Sequence, residues 1–215
     1  MKLRKVFFMN SLLYALSRGQ FFKKIFTVAL QILSALTLLI GMIYWVEIWK
    51  DIFMAKKLVV FAGGTIFQIA FFIGIYMIAH TILIRASTIN KIPDSDYTVL
   101  HVAATFIKLI GEIYAWYGAV IAIGGGVFRF IAQAYAPKIL NEVSRFMPNF
   151  KEGSIFDAPF YTVSGLLISF FVLVIFYLIS EAMSLFVDIA ESTTALRQMK
   201  EDTYSSTPTE PSEDL

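Results

Sequence analysis

The ionisable residues set inside otherwise apolar stretches are where this sequence keeps its chemistry. His101, Lys108 and Glu112 share one such stretch, Gln68 and His80 lie in the stretch before it, and Glu181 lies in the last. Lys108 and Glu112 are four apart, the spacing that stacks two side chains on one helix face. At 100° per residue, His101, Ala104, Lys108, Gly111, Glu112, Ala115, Gly118 and Ala119 fall within about a third of a helix circumference. Tyr177, Glu181, Ser184 and Asp188 make a second polar stripe in the last stretch. These patterns predict a cluster of Lys108, Glu181, His80 and His101, with Glu112 as the i,i+4 partner of Lys108 and Gln68 joining from the second stretch. A cluster of this kind serves as a buried ion pair fixing helix register, as a proton or ion relay, or as a pocket for a lipid or small molecule. A metal site is not expected, because no H-x3-H or similar ligand spacing occurs. No G-x-S-x-G, H-E-x-x-H or nucleotide loop is present, so an enzyme ranks last and no cofactor is expected. Gly124–Gly126 is not a phosphate loop, since no Lys-Ser/Thr follows it.

The elements that must position these groups follow from composition. Of 215 residues, 58% are hydrophobic and 16% charged, with 21 Phe. That is too apolar for a water-facing surface. The absence of cysteine removes thiolate chemistry, and a net charge of +2 gives no footprint for nucleic acid. A bilayer core needs about 20 mainly apolar residues per helix. Four stretches meet that length, at residues 25–49, 58–83, 98–127 and 163–187. They lack the ten-residue alternation of a membrane β-barrel, and backbone polarity in lipid favours helices. The fold class expected is all-α: a four-transmembrane-helix bundle spanning residues 25–190.

Residues 1–24 read as a cytoplasmic amphipathic segment lying in the interface, with Val6, Met9, Leu12, Leu13 and Leu16 beside Lys2, Arg4 and Lys5. They do not read as a signal peptide, because the apolar run after Lys24 is longer than a signal core. The side carrying Lys2, Arg4, Lys5, Arg18, Lys23, Lys24, Arg85, Lys91, Arg197 and Lys200 outweighs the side carrying Lys50, Lys56, Lys57, Arg129, Lys138, Arg145 and Lys151. The positive-inside rule then puts both termini in the cytoplasm. Residues 50–57 should form a tight turn, and Asp94 or Ser95 should cap the third span. The connection 128–162 is expected to hold an amphipathic interfacial helix with Ile139, Leu140, Val143 and Phe146 on one face, bracketed by Pro137 and Pro148. Residues 191–215 should be a cytoplasmic, mostly disordered acidic tail.

Small residues at Gly111, Ala115, Gly118 and Ala119 let a second helix approach closely, so this face should point into protein. Gly63–Gly64 and Gly124–Gly126 permit close packing or a kink, and the triple glycine is read as the end of the third span. The end of the last span, Glu181-x6-Asp188-Ile189-Ala190-Glu191-Ser192-Thr193, resembles a pattern in small bacterial membrane proteins of unknown activity. Ser192 departs from it, standing where Asn is commoner. The resemblance covers about thirty residues and implies a bacterial inner-membrane protein. The function expected is that of a non-catalytic accessory or scaffold subunit, partnered by the bilayer and by a membrane protein or further copies of itself. The alternative is a small channel or transporter subunit using the Lys/Glu/His cluster.

Overall fold

Long apolar runs without proline beyond the first turn give long helices, and a computed structural model describes them over residues 20–93, 97–140 and 156–205. Helix α1 is Gln20–Met54, α2 is Leu58–Asn90 and α3 is Thr98–Ala132. A 3-10 turn, Gln133–Tyr135, leads into the short α4, Ala136–Leu140, and α5 is Asp157–Ser205. Every described element is helical, and α1, α2, α3 and α5 are long and apolar enough to cross a membrane.

Each long helix exceeds its expected span. The turn after α1 shrinks to Ala55–Lys57, closed by the Lys56 N–H donating to Phe53 O at 3.3 Å. Lys56 takes the left-handed conformation there, at φ 50°. Helix α2 continues past Leu83 to Asn90, where the Lys91 N–H caps Thr88 O and Pro93 follows. The triple glycine does not end α3, which runs on through Ala132. Asp157 opens α5 with acid in the first turn, favourable to the helix dipole, and Pro159 sits where its missing N–H costs nothing. The connection expected at 128–162 therefore loses both its ends to α3 and α5. Of its amphipathic face, Ile139 and Leu140 are described, and Leu140 is fully buried against Tyr161 and Phe128 in an apolar cluster. Residues 191–205, part of a tail expected to be mostly disordered, are helical. The N-terminal segment before Gln20, the cap at Asp94 or Ser95, Val143, Phe146 and the tail beyond Ser205 lie outside the described residues.

The helices pack in chain order as an open row. Helix α1 lies on α2, α2 on α3, and α3 on α5, while α1 touches α3 only lightly and shares no comparable interface with α5. Antiparallel register is set by short connections and close contacts. A Cβ on Gly64 would sit 2.6 Å from Ile52 of α1, and one on Gly111 would sit 2.6 Å from the Phe176 Cβ of α5. The backbones approach that nearly only because both positions lack a side chain. Two apolar clusters divide the length of the row. Phe67, Phe71, Ile121, Phe128 and Tyr161 fill one end, and Leu30, Ile78, Ile82, Ile89 and Leu109 fill the other.

Candidate functional site

The small-residue face of α3 meets α5, and the charge on that face is taken by a residue from α2. Arg85 Nε donates to Glu112 Oε2 at 2.8 Å, and Arg85 Nη2 donates to Glu112 Oε1. Tyr177 of α5 donates its hydroxyl to the same Oε1, and Arg85 Nη2 lies 3.1 Å from that hydroxyl. The three groups are mostly buried and tie α2, α3 and α5 together through one carboxylate. A bidentate Arg–carboxylate pair with a further donor is the geometry in which ion-pair attraction offsets desolvation.

Lys108 makes no direct ion pair with Glu112 and acts on it only through its charge, Arg85 being the hydrogen-bonded partner. Lys108 lies half-buried one turn nearer the start of α3, with Nζ 5.3 Å from the centre of the Tyr177 ring. Glu181 does not reach it either, for the Glu181 side chain is exposed. The stripe on α5 that faces α3 passes through Tyr177, Ser180, Ser184 and Val187, so it is turned away from Glu181 and Asp188. Ser180 donates to Ala104 O at 2.7 Å, which fixes that orientation. His80 points outward and stacks on Tyr76, its own neighbour one turn back. His101 faces α5, but its Nε2 approaches Glu191, at 3.9 Å, and not Glu181. Gln68 lies 17 residues before Arg85, about 25 Å along α2 at the helical rise. It belongs to the other end of the row, where it is buried and its Nε2 donates to Trp45 O at 2.9 Å. Gly111 and Gly118 are buried, while Ala115 and Ala119 are half-buried.

At that far end stands a second ion pair. Arg129 Nη1 donates to both carboxylate oxygens of Asp157, at 3.2 and 3.0 Å, and its guanidinium lies 4.2 Å from the centre of the Tyr161 ring. Both side chains are buried, at 2% and 9% exposure. Glu112 and Arg129 are 17 residues apart on α3, so the two pairs stand about 25 Å from each other along the helix. Reading Arg85 and Arg129 as loop residues hid both pairs. The wheel position of Arg85 carries the signal, since it continues the buried stripe Ile78, Ile82 and Ile89.

Beside Lys108 lies a cavity of about 220 Å³ lined by Ile92, Pro93, His101, Ala104, Thr105, Lys108, Ser180 and Ser184. A second cavity, about 320 Å³ and largely apolar, opens between α1, α2 and α3 beside Gly41, Gly74 and Tyr117. Among the described residues no three His, Asp or Glu side chains group as metal ligands do. No family model matches the chain, and no curated protein or solved structure matches it.

Proposed function

We propose that the chain is an integral membrane protein crossing a bilayer four times and acting as a non-catalytic accessory or scaffold subunit. Each long helix supports the first half of that reading with a stretch free of Asp, Glu, Lys and Arg: between Lys24 and Glu47, Lys57 and Arg85, Glu112 and Arg129, and Asp157 and Glu181. The two ion pairs bracket this belt, so paired charge lies near its two edges and apolar packing lies between. Trp45, Trp49, Phe53 and Phe61 cluster at one edge, as aromatic residues do at a membrane interface. Arg85 and Arg129 belong to helices and leave the loop counts together, one from each side, so the basic bias still favours cytoplasmic termini. The resemblance of Glu181–Thr193 to the end of small bacterial membrane proteins is what supports a bacterial inner membrane as the location.

The observation that carries the second half is the open row. Only 11% of the most apolar window is buried in α1 and in α5, against 44% in α2. The outer helices keep most of their surface for lipid or for another membrane protein, while α2 and α3 hold the unit together. The two carboxylates turned into the helix row, Glu112 and Asp157, are each satisfied by an arginine of the same chain, which suits a rigid unit better than a conducting one.

Extraction of native membranes in mild detergent tests the reading. A stoichiometric membrane-protein companion is expected. Recovery as a lone homo-oligomer that passes ions in liposomes overturns it in favour of transport. Release by alkaline carbonate overturns membrane integration itself, and protease access confined to one terminus overturns the topology.

A further inference from the structure

We propose that the cavity at the α2–α3 connection binds a phosphate group, with Lys108 as its principal contact. Most cations within the four helices are already committed. Arg85 holds Glu112, Arg129 holds Asp157, and Lys23 donates to Ile92 O at 2.7 Å. Lys108 is half-buried and makes no hydrogen bond or ion pair among the described residues. Glu112 reaches it only through its field and is already held by Arg85, so these three groups carry one net positive charge that an entering anion can balance.

The walls suit such an anion. None of the described lining residues is acidic. Glu112 is closed off by Arg85 and Tyr177, Glu181 is exposed, and Glu191 stands beside His101 without lining the cavity. Donors are at hand. The imidazole of His101 lines one side, and the hydroxyls of Thr105 and Ser184 now donate to carbonyls one turn back, at 2.9 and 3.2 Å. A hydroxyl gives up such a bond by rotating about a single torsion. The volume of about 220 Å³, set against ~30 Å³ per water in the liquid, accommodates a tetrahedral oxyanion and the start of its ester stem. A compact lysine charge is the form of cation that meets phosphate as a point charge.

Two sources share this chemistry: the headgroup of an anionic lipid and a free phosphate. Lys108 lies one turn outside the charge-free belt of α3, on the side of the helix start. The lipid source thus rests on the membrane reading, whereas phosphate binding does not.

The test uses the full chain purified in mild detergent. In one arm it is reconstituted with phosphatidylcholine and phosphatidylglycerol, stripped, and its retained phosphatidylglycerol counted by native mass spectrometry. In the other, inorganic phosphate is titrated and followed by 31P line broadening. Lys108→Met should lower binding about tenfold, the loss of one charge-assisted hydrogen bond, and Lys108→Arg should keep most of it. Loss in the first arm assigns a lipid phosphate, and loss in the second assigns a free one. Circular dichroism and elution volume report folding, and the pair Thr105→Val with Ser184→Ala carries the same test if Lys108→Met does not fold. Binding of neither probe, or binding unchanged by these variants, overturns the proposal. Carbonate extraction reads out membrane integration separately.

Discussion

Arg85 on α2 grips Glu112 on α3 through two guanidinium nitrogens, and Tyr177 on α5 seals the same carboxylate from the other side. Removing one partner leaves the other buried and unpaired, which costs about 3–5 kcal/mol. Arg85→Met and Glu112→Leu should each lower stability by that order in detergent melts followed by circular dichroism. The double variant should recover most of the loss, because two apolar side chains leave no charge behind. Equal and additive losses would show that the pair contributes no coupling.

Tyr177→Phe removes a single hydrogen bond to a charged acceptor while Arg85 still neutralises Glu112. A loss of about 1.5–3 kcal/mol is expected, smaller than that of Arg85→Met. If the phenylalanine variant melts with the wild type, the hydroxyl is not bonded as described.

The Arg129–Asp157 pair should behave as an independent unit. It shares no partner with Arg85–Glu112 and lies about 25 Å away along α3, beyond the range at which substitutions couple. Arg85→Met combined with Arg129→Met should therefore cost the total of the separate losses to within about 0.5 kcal/mol. A chemical-denaturant series on the three variants reads this directly.

Gly111 and Phe176 give a geometric test of the α3–α5 contact. A Cβ on Gly111 would stand 2.6 Å from the Phe176 Cβ, so Gly111→Ala should cost about 1–3 kcal/mol through forced displacement of α5. Phe176→Ala cannot relieve that clash, since it keeps the Cβ. Phe176→Gly can, at the cost of about 1 kcal/mol of helix propensity. Rescue by alanine as effective as by glycine would place the contact elsewhere on the ring.

The pairing expected from spacing alone, Lys108 with Glu181, should show no coupling. Lys108→Met and Glu181→Gln, singly and together, should fit an additive cycle to within about 0.5 kcal/mol. A coupling of 1 kcal/mol or more would restore the expected pair and move α5 about its axis.

How far the site could be read from the sequence differs from residue to residue. Glu112 stood out as a charge in an apolar run, and the small residues around it marked a packing face, which the Gly111–Phe176 contact uses. What Glu112 pairs with was hidden, because a helical wheel ranks neighbours within one helix. On that ranking Lys108 at i,i+4 is the obvious choice, although Arg85 from the next helix delivers a planar bidentate donor. Glu181 failed for a related reason. Depth along a helix follows from counting residues, but the rotation of α5 was set by Ser180 donating to Ala104 O and by the backbone approach at Gly111.

The sequence by itself determined four long apolar helices and their order, because runs of that length admit little else, and the short connections made the first three antiparallel neighbours. It also determined that α3 turns a small, charged face toward protein. Only the tertiary structure decided that the helices lie in an open row and that α3 and α5 extend through the glycines and past Leu196. It alone decided that Arg85 and Arg129 belong to helices and close two separate ion pairs. Those outcomes depend on rotation and contact between helices far apart in the chain. Such contacts are settled by packing and charge satisfaction over the whole row, and no local spacing encodes them.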